Sequence, residues 1–268
     1  MEIIKYIPVL LVFALIFAGC GEKPEPKNQW EDIKLEDLMP QGRPQQSEKA
    51  IVGLSVFFFQ LDADKYQQVQ NAMHNIDGLT INLQDTGNFN ANGLICGGGD
   101  FDQWRKIAAS FANTNTTIAK KITFFMDAGT TEIIETAKIT ESASVSYRTA
   151  ENASAMIGLP EGSFVLKLST QTLIGLKQAC KLEIKPSYKT IAKKSNNKKV
   201  AGWEYAFDSA NISATIRPGQ FVFLAPQSSI IEDAEQAFPT DLGQRLFAVK
   251  DGKDVIKFCL IFCGLIND

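Results

Sequence analysis

From Ile122 to Ile266 the chain runs as short stretches of β-branched and aromatic residues separated by turn formers, and that rhythm constrains the fold more than any other feature. The stretches are Ile122–Met126, Thr131–Thr136, Ala143–Tyr147, Phe164–Leu168 and Ala179–Ile184, then Val200–Phe207, Ile212–Ile216, Phe221–Ala225 and Val255–Ile266. Connections this short suit antiparallel pairing. Helical periodicity is confined to the preceding region. Tyr66, Val69, Met73 and Ile76 recur at helical spacing between Asp64 and Asn75, with Gln67 three residues after Asp64 as in a capping box. A second helix is expected from Asp100 or Asp102 to about Ala112, with Phe101, Trp104, Ile107, Ala108 and Phe111 on one face. Ile51–Leu61 reads as a buried strand and Leu79–Leu83 as an alternating one. A polar loop through Gly87 and Gly93 follows, and Gly97-Gly98-Gly99 reads as a flexible turn. The expectation is a single α+β domain over residues 50–268, with two short helices near the start and a mainly antiparallel β-rich carboxyl part; two subdomains are the alternative.

The amino terminus stands apart from that domain. Val9 to Ala18 is apolar throughout, too short for the roughly 20 residues that span a bilayer, and ends in Ala18-Gly19-Cys20. This arrangement resembles the lipobox of bacterial lipoproteins, with Phe17 where Leu is usual. The resemblance implies that residues 1–19 are a signal peptide and that Cys20 is lipidated after cleavage. An ordinary signal peptide or an uncleaved anchor is the alternative. Residues 20–49 then hold Pro24, Pro26, Pro40 and Pro44 among polar residues and read as a tether, interrupted by Trp30, Ile33, Leu35 and Leu38, which could dock on the domain.

Charge and cysteine usage narrow the function classes. The formal charge of −3 is unchanged by loss of residues 1–19, which carry Glu2 and Lys5, so nucleic acid is not an expected partner. With Cys20 assigned to lipid, Cys96, Cys180, Cys259 and Cys263 permit three pairings of all four; buried free thiols or one disulfide are both open. Cys259 and Cys263 lie on one face of a strand about 13 Å apart and cannot bond to each other. With no Cys-x-x-Cys and His74 as the lone histidine, no metal or cofactor is expected.

The other chemical motifs are weak. Asn88-x-Asn90-x-Asn92-Gly93 imitates a calcium loop but offers amides at all three positions, with Gly99 where the bidentate Glu belongs. His74, at a helix end, reads as a surface or capping residue. Asp62, Asp64, Asp100 and the Glu232/Asp233/Glu235 group read as caps or solvated acids. Five lysines between Lys189 and Lys199 read as a solvated hairpin loop, with a basic contact surface as alternative. No G-x-S-x-G occurs, and no base pairs with a Ser or Cys.

Three carboxyl-terminal patterns resemble the terminal module of bacterial secretins, the multimeric outer-membrane channels: Leu182-Glu-Ile-Lys-Pro186, Ile216-Arg-Pro-Gly219-Gln220-Phe-Val-Phe-Leu224, and Phe238-Pro239-Thr-Asp-Leu242-Gly243-Gln-Arg-Leu246-Phe247 before a terminal apolar strand. The resemblance covers residues 93–268. It departs where Val-Phe-Leu-Ala-Pro226 replaces a glycine pair, and no repeated ring domains precede it. It implies a secretion-associated structural role rather than an enzyme. The function expected is therefore a membrane-anchored envelope lipoprotein with a non-catalytic structural or assembly role, its partners being the membrane through Cys20, envelope proteins or copies of itself. The alternative is an exported hydrolase or ligand-binding lipoprotein.

Overall fold

The computed structural model describes residues 34–40, 50–76, 78–173, 176, 178–190, 194–195, 198–199, 202–228, 240–250 and 254–267. In chain order these hold α1 (Leu35–Leu38), β1 (Ile51–Asp62), α2 (Tyr66–His74), β2 (Ile81–Leu83), α3 (Thr86–Ala91), β3 (Leu94–Asp100), α4 (Phe101–Asn113), β4 (Thr117–Asp127), β5 (Thr131–Ile139), β6 (Ala143–Arg148) and β7 (Ser154–Leu159). There follow β8 (Gly162–Thr172), β9 (Cys180–Thr190), β10 (Lys194–Ser195), β11 (Lys198–Lys199), β12 (Glu204–Ala206), β13 (Ile212–Ile216), β14 (Gln220–Pro226), β15 (Thr240–Asp241), α5 (Leu242–Phe247), β16 (Ala248–Lys250) and β17 (Asp254–Asn267). One main sheet has the order β3-β14-β17-β1-β4, with β16 added on β17; the other has β2-β13-β9-β8-β5, with β12 added on β9. A small sheet, β15-β6-β7, includes one parallel pair.

Period-two alternation explains the layering. Val52, Leu54, Val56 and Phe58 of β1 share a core with Cys259, Ile261 and Cys263 of β17, and that core is completed by Phe164, Leu166, Leu182 and Ile184 of the second sheet. The intervening residues Phe57, Phe59, Leu61, Phe258, Leu260 and Phe262 point the other way, into a second core with Tyr66, Val69 and Met73 of α2 and Trp104, Ile107 and Phe111 of α4. The result is three layers, helices on sheet on sheet. Because β1 and β17 are buried on both faces, they read as unbroken apolar runs. Each fully buried Phe or Leu contributes about 1.5–3 kcal/mol of transfer free energy, so the central sheet supplies much of the hydrophobic term. Within the second core Phe59 stacks on Phe258 with ring centroids 5.2 Å apart, and Trp104 meets Phe111 edge-on at 5.5 Å.

The α+β expectation is corrected: the fold is mainly β, with strands making up more than half of the described residues and helices under a quarter. Two short helices near the start do not describe it, because α3 and α5 add helical turns elsewhere and the strands outrun their apolar cores. The outer part of β4, Thr117–Lys121, is exposed on both faces, so burial leaves no alternating pattern there in the sequence. Likewise β7 alternates small and exposed residues around Met156 and had no apolar run to mark it.

Gly97-Gly98-Gly99 is also corrected: it is the middle of β3, not a flexible turn. Neighbours press on this strand from both faces. A Cβ on Gly98 would lie 2.6 Å from the Phe221 carbonyl oxygen, and one on Gly97 would lie 2.6 Å from the Phe223 ring. The loop through Gly87 contains α3, capped by Asp85, whose carboxylate accepts from Asn88 N–H at 2.7 Å. The capping box belongs to α4, between Asp100 and Gln103, and not to Asp64 and Gln67.

Pro186 lies inside β9 rather than at its end. Its missing N–H goes unneeded because β9 changes neighbour there, pairing with β13 up to Ile184 and with β12 from Ser187. In the tether range, Leu38 is buried in the helix-side core, Lys121 Nζ donates to Asp37 O at 2.8 Å, and Pro40 lies over Gly53 and Gly264.

Candidate functional site

One edge of β3 is unpaired among the described residues, and a cleft of about 290 Å³ opens beside it. Its walls are the end of α2 (Met73, His74, Ile76), Leu83 of β2, α3 with Phe89 and Asn90, and Ile95, Cys96 and Gly97 of β3; Phe223 and Gln227 close the far side. Long-range hydrogen bonds hold this frame. Tyr66 Oη donates to the Pro226 carbonyl, Gln70 Nε2 to the Gln227 carbonyl at 2.6 Å, and Gln227 N–H to Gly93 O at 2.7 Å. Together they bind α2 to the end of β14 and the start of β3, fixing the cleft's width.

The cleft unites the lone histidine with a cysteine. His74 is exposed, and its Nδ1 is 3.0 Å from Gln70 O; a carbonyl only accepts, so Nδ1 is the donor in this bond. Cys96 is different. Burial pushes its thiol up to about 12, so it is protonated at neutral pH and a poor nucleophile. A mixed apolar and hydrogen-bonding lining of this kind suits holding a small amphipathic group or a partner side chain more than covalent chemistry.

The sequence-level candidates do not converge here. Asp62 and Asp64 are exposed at the β1–α2 junction, and Asp100 caps α4, accepting from the Asp102 and Gln103 N–H groups at 3.1 Å. Cys20 and the Glu232/Asp233/Glu235 group lie outside the described residues. Asn92, third in the calcium-like series, is fully buried: its Oδ1 accepts from Arg148 N–H at 2.7 Å and its Nδ2 donates to Ser209 Oγ at 3.0 Å. That side chain is a backbone clamp. Among the described residues no group of His, Cys, Asp and Glu could hold a metal ion.

The outer face of the second sheet is a charge lattice. Glu183 pairs with Lys181 at 2.7 Å and Lys185 at 2.9 Å, and Glu204 bridges Lys167 and Lys189. The two lysines hydrogen-bonded to Glu183 hold its carboxyl down at about 2. Farther along, Lys194–Ser195 and Lys198–Lys199 pair as a hairpin.

From sequence His74 is visible, but that it shares a cleft with Cys96 depends on β3 being a strand. Phe223 and Gln227 come from far along the chain, and no spacing links them to residues 73–97.

Among the described residues no helix is long and apolar enough to cross a membrane. No family model matches the chain, and no curated protein is similar to it in sequence. One solved structure similar to it is the secretin PilQ of the V. cholerae type IV competence pilus, at 7 % identity and a TM-score of 0.18, covering 81 % of this chain. The chain spans 57 % of that protein's length.

Proposed function

We propose that this chain is a bacterial envelope lipoprotein, cut before Cys20, held to a membrane by lipid on that cysteine, and carrying a mainly β domain with a non-catalytic structural or assembly role. The observation that carries the reading is the apolar run Val9–Ala18 ending in Ala18-Gly19-Cys20, followed by a proline-bearing polar stretch. From Cys20 to the docked segment at Lys34 the chain has 14 peptide steps, a reach of at most about 50 Å, so the domain stays near the bilayer.

Assembly draws support from the other edge of the central sheet. β4, 11 residues long, pairs only with β1 among the described residues and exposes Ile118 and Phe125; β5, the edge of the second sheet, exposes Ile133. A long open edge with apolar side chains is a template for adding a strand from another chain. Full-length protein extracted from membranes in mild detergent should run as a multimer or with a bound envelope partner in native mass spectrometry, and Ile118→Lys with Phe125→Lys should release it. A partner-free monomer would overturn the assembly role. The cleft at His74 and Cys96 favours a second reading, an exported ligand-binding protein or hydrolase, which that monomer would then support.

A further inference from the structure

We infer that Cys180 and Cys263 are a disulfide-forming pair that joins the two main sheets in the exported protein. The inference rests on the export reading for its oxidising compartment and on the structure for its geometry. Both residues are fully buried in one core, Cys180 from the second sheet and Cys263 from the first. Their side chains, both free thiols in this structure, are close enough to act on one another.

The backbone brings them together independently of the side chains. Cys180 opens β9 directly opposite Ile216, the last residue of β13. From Ile216 the chain crosses to the other sheet through Arg217-Pro218-Gly219, and Gly219 N–H donates to Cys263 O at 2.8 Å. Three Cα steps of about 3.8 Å therefore connect the partner of one cysteine to the partner of the other. At this corner a three-residue crossover joins the two sheets, one cysteine beside each of its ends. Two other pairings are excluded by position. Cys259 lies four residues along β17 from Cys263, about 13 Å away, and Cys96 is two strands from Cys259, opposite Leu224, which is opposite Cys259 in turn, a span of about 10 Å. A disulfide needs its sulfurs about 2.05 Å apart and its Cα atoms within about 7 Å.

The bond forms by exchange with an oxidant of the disulfide class, a small-molecule or protein disulfide. One cysteine, as thiolate, attacks the oxidant's sulfur and expels one thiol, giving a mixed disulfide. The second cysteine attacks the protein sulfur of that mixed disulfide and expels the second thiol. The two thiol protons end on the two released thiols, and the two electrons lost by the protein reduce the oxidant. Because the neighbouring Cys180 side chain and then burial suppress ionisation of Cys263 in the folded core, exchange proceeds while the core is still open, during folding.

The test uses full-length protein, reduced, unfolded and refolded with oxidised glutathione, its refolding confirmed by return of the β-sheet circular dichroism. After alkylation and digestion, a peptide linking Cys180 to Cys263, two hydrogens lighter than its reduced parts, is expected. The refolded protein should melt roughly 10 °C higher than its reduced form, as closure of so long a loop implies. Cys96→Ser with Cys259→Ser should keep that difference, and Cys180→Ser with Cys263→Ser should abolish it. Refolded protein that lacks the linked peptide, or links another pair, overturns the inference. Protein that links correctly on refolding but is isolated from cells with both thiols free upholds the pair and contradicts export.

Discussion

Replacing Asn92 by Ala separates a structural amide from a metal ligand. Its side chain is fully buried, accepts from Arg148 N–H at 2.7 Å and donates to Ser209 Oγ at 3.0 Å, so it clips the α3–β3 junction to the end of β6 and to the turn before β13. Each such bond is worth about 0.5–1.5 kcal/mol net, and a buried donor left without a partner costs about 1–3 kcal/mol more. Truncation removes both bonds and orphans Arg148 N–H, for a loss of about 2–6 kcal/mol. At about 2–4 °C per kcal/mol for a chain of this size, Tm should fall by roughly 4–24 °C. Circular dichroism melts of wild type and variant, each with and without millimolar calcium, read the result. Calcium should move neither curve. A variant melting with the wild type, or a calcium-dependent rise in wild-type Tm that the variant loses, would refute the reasoning.

The remaining predictions concern a glycine pair and a carboxylate. Gly98→Ala should lower Tm clearly, since its Cβ would lie 2.6 Å from the Phe221 carbonyl oxygen, whereas Gly158→Ala on β7 meets nothing within 4 Å and should be neutral or stabilising by up to about 1 kcal/mol in denaturant titrations. Equal losses at both would contradict a close-packed β3. Glu183, held at about 2 by Lys181 and Lys185, contributes stability that is present above its ordinary range near 4.5 and is lost as pH falls towards 2. Acid melts of Glu183→Gln should therefore fall less steeply than wild type across that window; the effect is below about 1 kcal/mol because the pair is solvated, and it should shrink in 1 M salt. Parallel curves would remove the ion pair from the account.

The legible parts of the fold were those whose burial follows a period. β1 and β17 announce themselves because both faces are covered, and α2 and α4 because Val69, Met73, Trp104, Ile107 and Phe111 form one apolar stripe on each helix. What failed to show is equally physical. β3 resembles a turn because its glycines answer to close neighbours: Phe223 crowds Gly97, the Phe221 carbonyl and Leu79 crowd Gly98, and Gln103 and Ile76 crowd Gly99. α3 resembles a loop because Thr86-Gly-Asn-Phe-Asn-Ala is poor in helix formers and is held by the Asp85 cap and the buried Phe89. The cleft could not be read at all: His74 and Cys96 line one cleft only once β3 is a strand against the end of α2, and the Tyr66 hydroxyl and Gln70 amide that brace it donate to carbonyls of Pro226 and Gln227.

The central claim is tested most directly by the intact mass and amino-terminal peptide of the protein extracted from bacterial membranes. The account predicts a chain that starts at Cys20, heavier than the polypeptide by a thioether-linked diacylglycerol, and a Cys20→Ser variant that loses that mass and leaves the membrane fraction. A chain that retains residues 1–19, or one that starts elsewhere with Cys20 unmodified, would contradict it.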